Sequence, residues 1–153
     1  MGQIIPVLRA MRGQRVYLDT NIFIYFLERN VDFFPAAMPI LQSMSKQDFL
    51  GFTGEIAVAE TMVGPYRTKN PRAISSTRDF FRTSSFLTIL PHDGAIFDHA
   101  AQLRAAQKMR FIDAVHIATA IAAACTFFIT NDTALRTIGG LGVVQLKTLL
   151  PSA

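Results

Sequence analysis

The sequence predicts an α/β domain built on a mainly parallel sheet, and three observations carry that expectation. The chain has 153 residues, half of them apolar and 17% charged, a balance that supports one buried core. Short β-branched or aromatic runs alternate with longer helical segments, the pattern of strands joined by helical crossovers. No internal repeat, low-complexity segment or linker interrupts the chain, so residues 15–153 read as a single domain behind a short N-terminal extension, 1–14.

Each element has its own signal. Arg15-Val16-Tyr17-Leu18 predicts the first strand, which ends at Asp19. Thr20-Asn21 can cap a helix that Ile22 to Leu27 continues. Pro35 opens a second helical segment, with Met38, Leu41 and Met44 recurring at spacing three. Phe49 to Phe52 is a second strand. Gly54 to Met62 reads as a helix that Gly64-Pro65 interrupts or bends. Pro71 to Phe81 predicts another helix, and apolar Phe86 to Leu90 a buried strand. Asp93 to Gln107 is amphipathic, with Ile96, Ala100 and Leu103 on one face. Asp113 to Cys125 is almost wholly apolar, a helix buried on most sides. Thr126 to Thr130 is a strand, Asp132 can cap a short helix, and Gly139-Gly140 turns the chain into a last strand, Val143 to Leu146.

Composition also excludes several classes. One cysteine, Cys125, rules out an intramolecular disulfide framework and a cysteine-based zinc site, which makes a reducing cytoplasm the natural compartment. Arg9, Arg12 and Arg15 are not followed by the apolar stretch and cleavage site of a secretory signal. The longest apolar run, Ala114 to Ile129, is shorter than the roughly 20 residues of a membrane-spanning helix. No glycine-rich loop follows the first strand, which argues against dinucleotide binding. A phosphatase with an aspartyl nucleophile fits poorly, because Asn21 stands two residues after Asp19, where a second Asp is usual.

The net charge of +4 permits an anionic partner without demanding one. Its distribution is uneven: Arg67, Lys69, Arg72, Arg78 and Arg82 face a lone acid, Asp79, between Thr61 and Pro91. These five either contact RNA phosphates or form a solvated surface. Arg104, Lys108 and Arg110 either line a cleft mouth or solubilise it.

The acids are scarce enough to weigh singly. Asp19, Glu60, Asp113 and Asp132 each lie in or beside a strongly apolar segment, where an uncompensated carboxylate is costly. Grouped, they would repel one another, and a hard divalent cation bound through oxygen relieves both problems. Asp19 and Asp132 each follow a predicted strand, so a parallel sheet sets both on one rim. Plainer roles stay open. Asp19, Asp113 and Asp132 could be helix caps, and Glu60 could belong to a solvated helix face. His116, one turn after Asp113, reads as a partly buried, locally bonded histidine before a proton shuttle or ligand. His92 and His99 have no supporting partner in the sequence.

These residues fall into a known pattern. Val16-Tyr17-Leu18-Asp19-Thr20-Asn21 resembles the opening motif of PIN domains, in particular VapC-type toxins. Ile56-Ala57-Val58-Ala59-Glu60 with Gly64 resembles the second motif, Asp113 to Ala120 the third, and Thr130-Asn131-Asp132 the fourth. The likeness runs over residues 15–148. It implies a three-layer α/β/α fold around a mainly parallel sheet of about five strands. It further implies Mg²⁺ or Mn²⁺ at Asp19, Glu60, Asp113 and Asp132, with Thr20, Asn21 and Thr130 in support. The activity it implies is endoribonuclease hydrolysis of RNA, commonly as a homodimer restrained by a cognate antitoxin. The alternatives are an RNA- or protein-binding module without cleavage and a housekeeping RNA-processing nuclease.

Overall fold

A computed structural model describes residues 3–151; residues 1, 2, 152 and 153, the ends of the predicted extension and domain, lie outside the described residues. The elements run α1 (Ile4–Met11), β1 (Arg15–Leu18), α2 (Thr20–Leu27), α3 (Phe34–Ser45), β2 (Leu50–Gly54), α4 (Glu55–Thr68), α5 (Pro71–Thr83), β3 (Leu87–Leu90), α6 (Gly94–Ala106), α7 (Phe111–Ala122), β4 (Phe127–Thr130) and β5 (Gly142–Gln145). A short 3₁₀ helix, Leu146–Leu149, follows. All five strands are parallel, in the order β3-β2-β1-β4-β5.

Alternation along the strands sorts the core into two faces. Val16, Leu18 and Ile129 face one way, into a cluster with Ile22 and Phe23 of α2, Ile40 and Met44 of α3, and Phe81 of α5. Tyr17, Phe52 and Phe128 face the other way and pack on Ile117 and Ala120 of α7. Helix α6 covers α7 from outside through Ile96, Ala100, Ala114 and Ala118. The result is the three-layer α/β/α arrangement expected from the sequence. Among the described residues no helix is long and apolar enough to cross a membrane.

The N-terminal stretch, for which the sequence offered no role, contains α1. Met11 is fully buried, and Ile4, Val7 and Leu8 pack against the same cluster as β1. Helix α4 continues through Gly64-Pro65 to Thr68 instead of stopping there. A proline inside a helix costs about 3 kcal/mol. Here the ring is buried, and the Asn70 N–H and Thr68 Oγ1 both donate to its carbonyl, which stabilises the turn beyond it. No helix follows Asp132: the Leu135 N–H closes a turn on its carbonyl, and Gln145 Nε2 donates to the same oxygen, holding the segment in a loop. The last strand ends at Gln145, because Leu146 begins the 3₁₀ turn, and α7 ends at Ala122 rather than Cys125.

The chain fills the sheet outward from β1 to β3, then returns to the other side of β1 for β4 and β5. The order therefore reverses between β1 and β4, the position at which open parallel sheets form crevices beyond their carboxyl ends. Leu18 pairs with Ile129 there, so Asp19 and Thr130 emerge side by side.

Candidate metal centre

Asp19 is the cap of α2 as well as the end of β1. Its extended backbone turns the carboxylate onto the rim, where Oδ1 accepts from the Thr20 N–H at 2.8 Å. Oδ2 accepts from Thr130 Oγ1 at 2.7 Å, and the Asp19 N–H donates to the Ile129 carbonyl at 2.9 Å. The two central strands thus hold one carboxylate between them. Thr130 Oγ1 also accepts from the Asp132 N–H at 3.0 Å, which ties the fourth acid to the first through one hydroxyl.

Glu60 reaches the same rim from α4. Its Oε1 accepts from Thr20 Oγ1 at 2.5 Å and from His116 Nε2 at 3.0 Å. Burial would push its carboxyl up, but these two bonds, with the charge of Arg110, outweigh it and hold the group below the ordinary range. Glu60 is therefore a bonded member of the site and not the solvated helix face that its spacing allowed.

Asp113 is the third residue of α7 rather than its cap, a position taken by Arg110. It is almost fully buried. The Arg110 guanidinium grips it with both arms, Nε to Oδ2 at 2.9 Å and Nη2 to Oδ1 at 3.1 Å. Burial pushes the Asp113 carboxyl up; Arg110 opposes this, while the charges of Asp19 and Asp132 add to it, and the net direction is upward. Asp132 Oδ2 lies 3.9 Å from the same guanidinium, and its Oδ1 accepts from the Ala134 N–H at 3.0 Å.

Asp19, Glu60 and Asp113 line one cleft of about 340 Å³, together with Thr20, Asn21, Ile24, Val63, Arg110 and His116. Asp132 stands just outside, lining an adjoining hollow with Arg110 and Asp113. Of the supporting residues, Thr20 and Thr130 orient carboxylates. Asn21 lines the cleft with a buried Oδ1 that has no hydrogen-bond partner. The basic set does not converge on the acids. Arg67, Lys69, Arg72, Arg78 and Arg82 are all exposed along the end of α4 and along α5, Arg78 donates to the Tyr66 hydroxyl, and Arg82 pairs with Asp79.

Sequence reasoning missed three side chains. Arg110 was one of several basic residues near a cleft; its spacing of three from Asp113, at the start of a helix, is the signal that pairs them. His116 is wholly buried and bonds Tyr17 and Glu60, far from it in sequence. His92, expected to lack partners, has two. Its Nε2 accepts from the Ile56 N–H at 3.1 Å, and its Nδ1 donates to Thr119 Oγ1 at 2.8 Å. Gly54 at the start of α4 has no side chain with which to cap, and the His92 imidazole does so instead. A Cβ at Gly54 would lie 2.4 Å from His92 Cε1 and 2.9 Å from the Tyr17 hydroxyl, so only glycine leaves room for the ring.

A parallel five-stranded sheet between two helical layers, with carboxylates on its carboxyl rim at the point of reversal, defines an α/β protein whose chemistry sits at strand ends. The PIN domain pattern matches residues 16–141, and the chain belongs to the PIN domain family. Solved structures share the fold. A toxin-antitoxin complex from Klebsiella pneumoniae is 23% identical, with a TM-score of 0.66 over 86% of this chain and 97% of that one. VapBC2 from Rickettsia felis, bound to a DNA fragment from its promoter, is 21% identical, with a TM-score of 0.67 over 86% and 98%. VapC20 of Mycobacterium tuberculosis, described as a sarcin-ricin loop cleaving toxin, is 15% identical, with a TM-score of 0.62 over 74% and 86%. No curated protein matches the chain.

Proposed function

We propose that the chain is a divalent-metal-dependent endoribonuclease that hydrolyses RNA phosphodiester bonds, and that it is the toxin of a toxin-antitoxin pair. The convergence of Asp19, Glu60 and Asp113 on one cleft, with Asp132 at its edge, carries the reading. Toxin-antitoxin assemblies recur among proteins of the same fold, and one is named as a sarcin-ricin loop cleaving toxin. These likenesses support a cognate antitoxin as partner; a homodimer in the cytoplasm belongs to the same reading.

The donor set suits a hard cation. All four candidate ligands are carboxylates, an unpartnered Asn21 oxygen adds a fifth hard donor in the cleft, and the charges of Asp19 and Asp132 raise the proton affinity of Asp113. As the side chains stand, no three Asp, Glu, His or Cys groups among the described residues are grouped closely enough to chelate one ion. Arg110 compensates the charge of Asp113 instead, and its largely exposed side chain is free to swing outward. Asp19 and Asp113 are the direct ligands in this reading, and Glu60 and Asp132 act through water. When bound, Mg²⁺ or Mn²⁺ supplies polarisation of a phosphoryl oxygen and a more acidic water.

The chain's own groups do the rest. Thr20 and Thr130 keep the Asp19 carboxylate from rotating, so its charge stays aimed at the cleft. The planar Arg110 guanidinium at the mouth matches a phosphodiester anion. Purified protein incubated with RNA and Mn²⁺ or Mg²⁺ should cleave it, and Asp19→Asn should reduce cleavage to background. Robust cleavage by that variant would remove Asp19 from the mechanism. The pairing of Arg110 with Asp113 favours a second reading, a binding module without cleavage, and retained RNA affinity with no cleavage in either metal would select it.

A further inference from the structure

His116 stands one turn beyond Asp113 with 1% of its surface exposed, and both ring nitrogens are engaged. Nε2 lies 3.0 Å from Glu60 Oε1, 3.3 Å from Thr20 Oγ1 and 3.6 Å from Asp19 Oδ1. Nδ1 lies 2.7 Å from the Tyr17 hydroxyl. An ionised carboxylate can only accept, so the nitrogen facing Glu60 carries the hydrogen. In a neutral ring Nδ1 then holds the lone pair, and the Tyr17 O–H donates to it. With the ring neutral, the network runs in one direction: Tyr17 to His116 to Glu60, with the Thr20 hydroxyl donating to the same Glu60 oxygen.

We infer that Tyr17 and His116 form a buried strut that positions Glu60 against Asp19, with Tyr17 selecting the histidine tautomer that donates to the carboxylate. The strut joins three elements, β1, α7 and α4. Tyr17 comes from the central strand, stacked on Phe128 at 5.2 Å; His116 comes from the helix layer on one face of the sheet, and Glu60 from a helix on the other side of the rim. Glu60 needs such a partner. It reaches the rim on a long, rotamer-rich side chain, 32% exposed, and holding it in one place costs conformational entropy that fixed donors must offset. Both of its bonds fall on Oε1, and among the described residues no protein group bonds Oε2. One carboxylate oxygen is anchored and the other is left for the cleft. His116 is thus a positioning residue acting through Glu60. The strut's geometry stands by itself, while its effect on rate rests on the proposed ribonuclease activity.

Three variants separate the contributions. Tyr17→Phe removes one hydroxyl and keeps the stacked ring. His116→Gln keeps a donor near the position of Nε2, and His116→Leu removes it. RNA cleavage in Mn²⁺ should show kcat lowered about 100-fold in His116→Leu and about tenfold or less in His116→Gln and Tyr17→Phe, with KM within about twofold of the parent in all three. Mn²⁺ binding measured by electron paramagnetic resonance should weaken in His116→Leu and recover in His116→Gln. The activity-independent reading is the tautomer: long-range ¹H–¹⁵N correlation spectra should show His116 protonated at Nε2 in the parent and a mixture in Tyr17→Phe. A His116 protonated at Nδ1 overturns the proposal, as does His116→Leu with parental kcat and Mn²⁺ affinity. A folded parent protein that neither cleaves RNA nor binds Mn²⁺ overturns the proposed function instead, and the tautomer then still decides the strut.

Discussion

At the residue scale, Thr130 shows how much of the site depends on one small group. Its hydroxyl donates to Asp19 Oδ2 and accepts from the Asp132 N–H, so Thr130→Val removes two bonds without changing side-chain volume much. A hydrogen bond to a charged group contributes about 1.5–3 kcal/mol. The variant should lose about 1–3 kcal/mol in urea unfolding and about tenfold in RNA cleavage. Cys125 gives a pH test. Burial pushes its thiol from an ordinary 9.0 up to about 11, so the folded state holds the proton more tightly than the unfolded chain. That contribution is intact below the ordinary value and is lost as pH rises toward about 11. Thiol-reactive dyes should label native protein at pH 8 far more slowly than denatured protein, and urea midpoints should fall between pH 9 and 11 unless Cys125 is replaced by Ala. The four acids could be read in the sequence because each sits among apolar neighbours. His116 and Tyr17 could not, because 99 residues separate them and only the closed sheet brings them together.

Helix α4 is the element whose ends and path differ most from the expectation. Its run past Pro65 depends on burial of the proline ring and on the polar cap supplied from beyond it, neither of which a local pattern carries. Its start depends on a histidine 36 residues away. Gly54→Ala should displace His92 and uncap α4, lowering stability by about 1–3 kcal/mol, which urea denaturation would measure. Acidification tests the same contact. Burial lowers the His92 pKa, while Glu55 pulls it up. The cap's contribution is therefore present above the ordinary value of 6.5 and is lost as pH falls below it. Stability should drop from pH 7 toward pH 5, and less steeply in His92→Gln, which cannot gain the charge. All five strands were legible to within two residues at either end, because short apolar, β-branched or aromatic runs recur between the longer helical segments, and length separates them from apolar helices such as α7.

For the whole molecule, the alternation of elements was enough to set the class of fold, since parallel strands require crossovers and crossovers must cover both faces. It did not reveal that α1, Ile4–Met11, helps to close the core. Met11 is fully buried among residues of the β1 cluster, and truncation of a buried Met to Ala costs about 2–5 kcal/mol. Met11→Ala should lower the thermal midpoint by several degrees in a calorimetric scan, by about 2–4 °C for each kcal/mol at this chain length. An unchanged midpoint would mean that α1 is docked without contributing to stability.

The reversal of strand order at β1 also sets a schedule. Asp19 is made early in translation, yet the hydroxyl that fixes its carboxylate lies 111 residues further along, and Asp132 later still. At about 5–20 residues per second, a ribosome spends several seconds or more between the two ends of the cluster. A half-made chain carries the first acid without the Thr130 hydroxyl that holds its second oxygen. Any chain that ends before β4, through a stalled ribosome or a premature stop, lacks Thr130 and Asp132, so the topology itself withholds the assembled rim from incomplete copies.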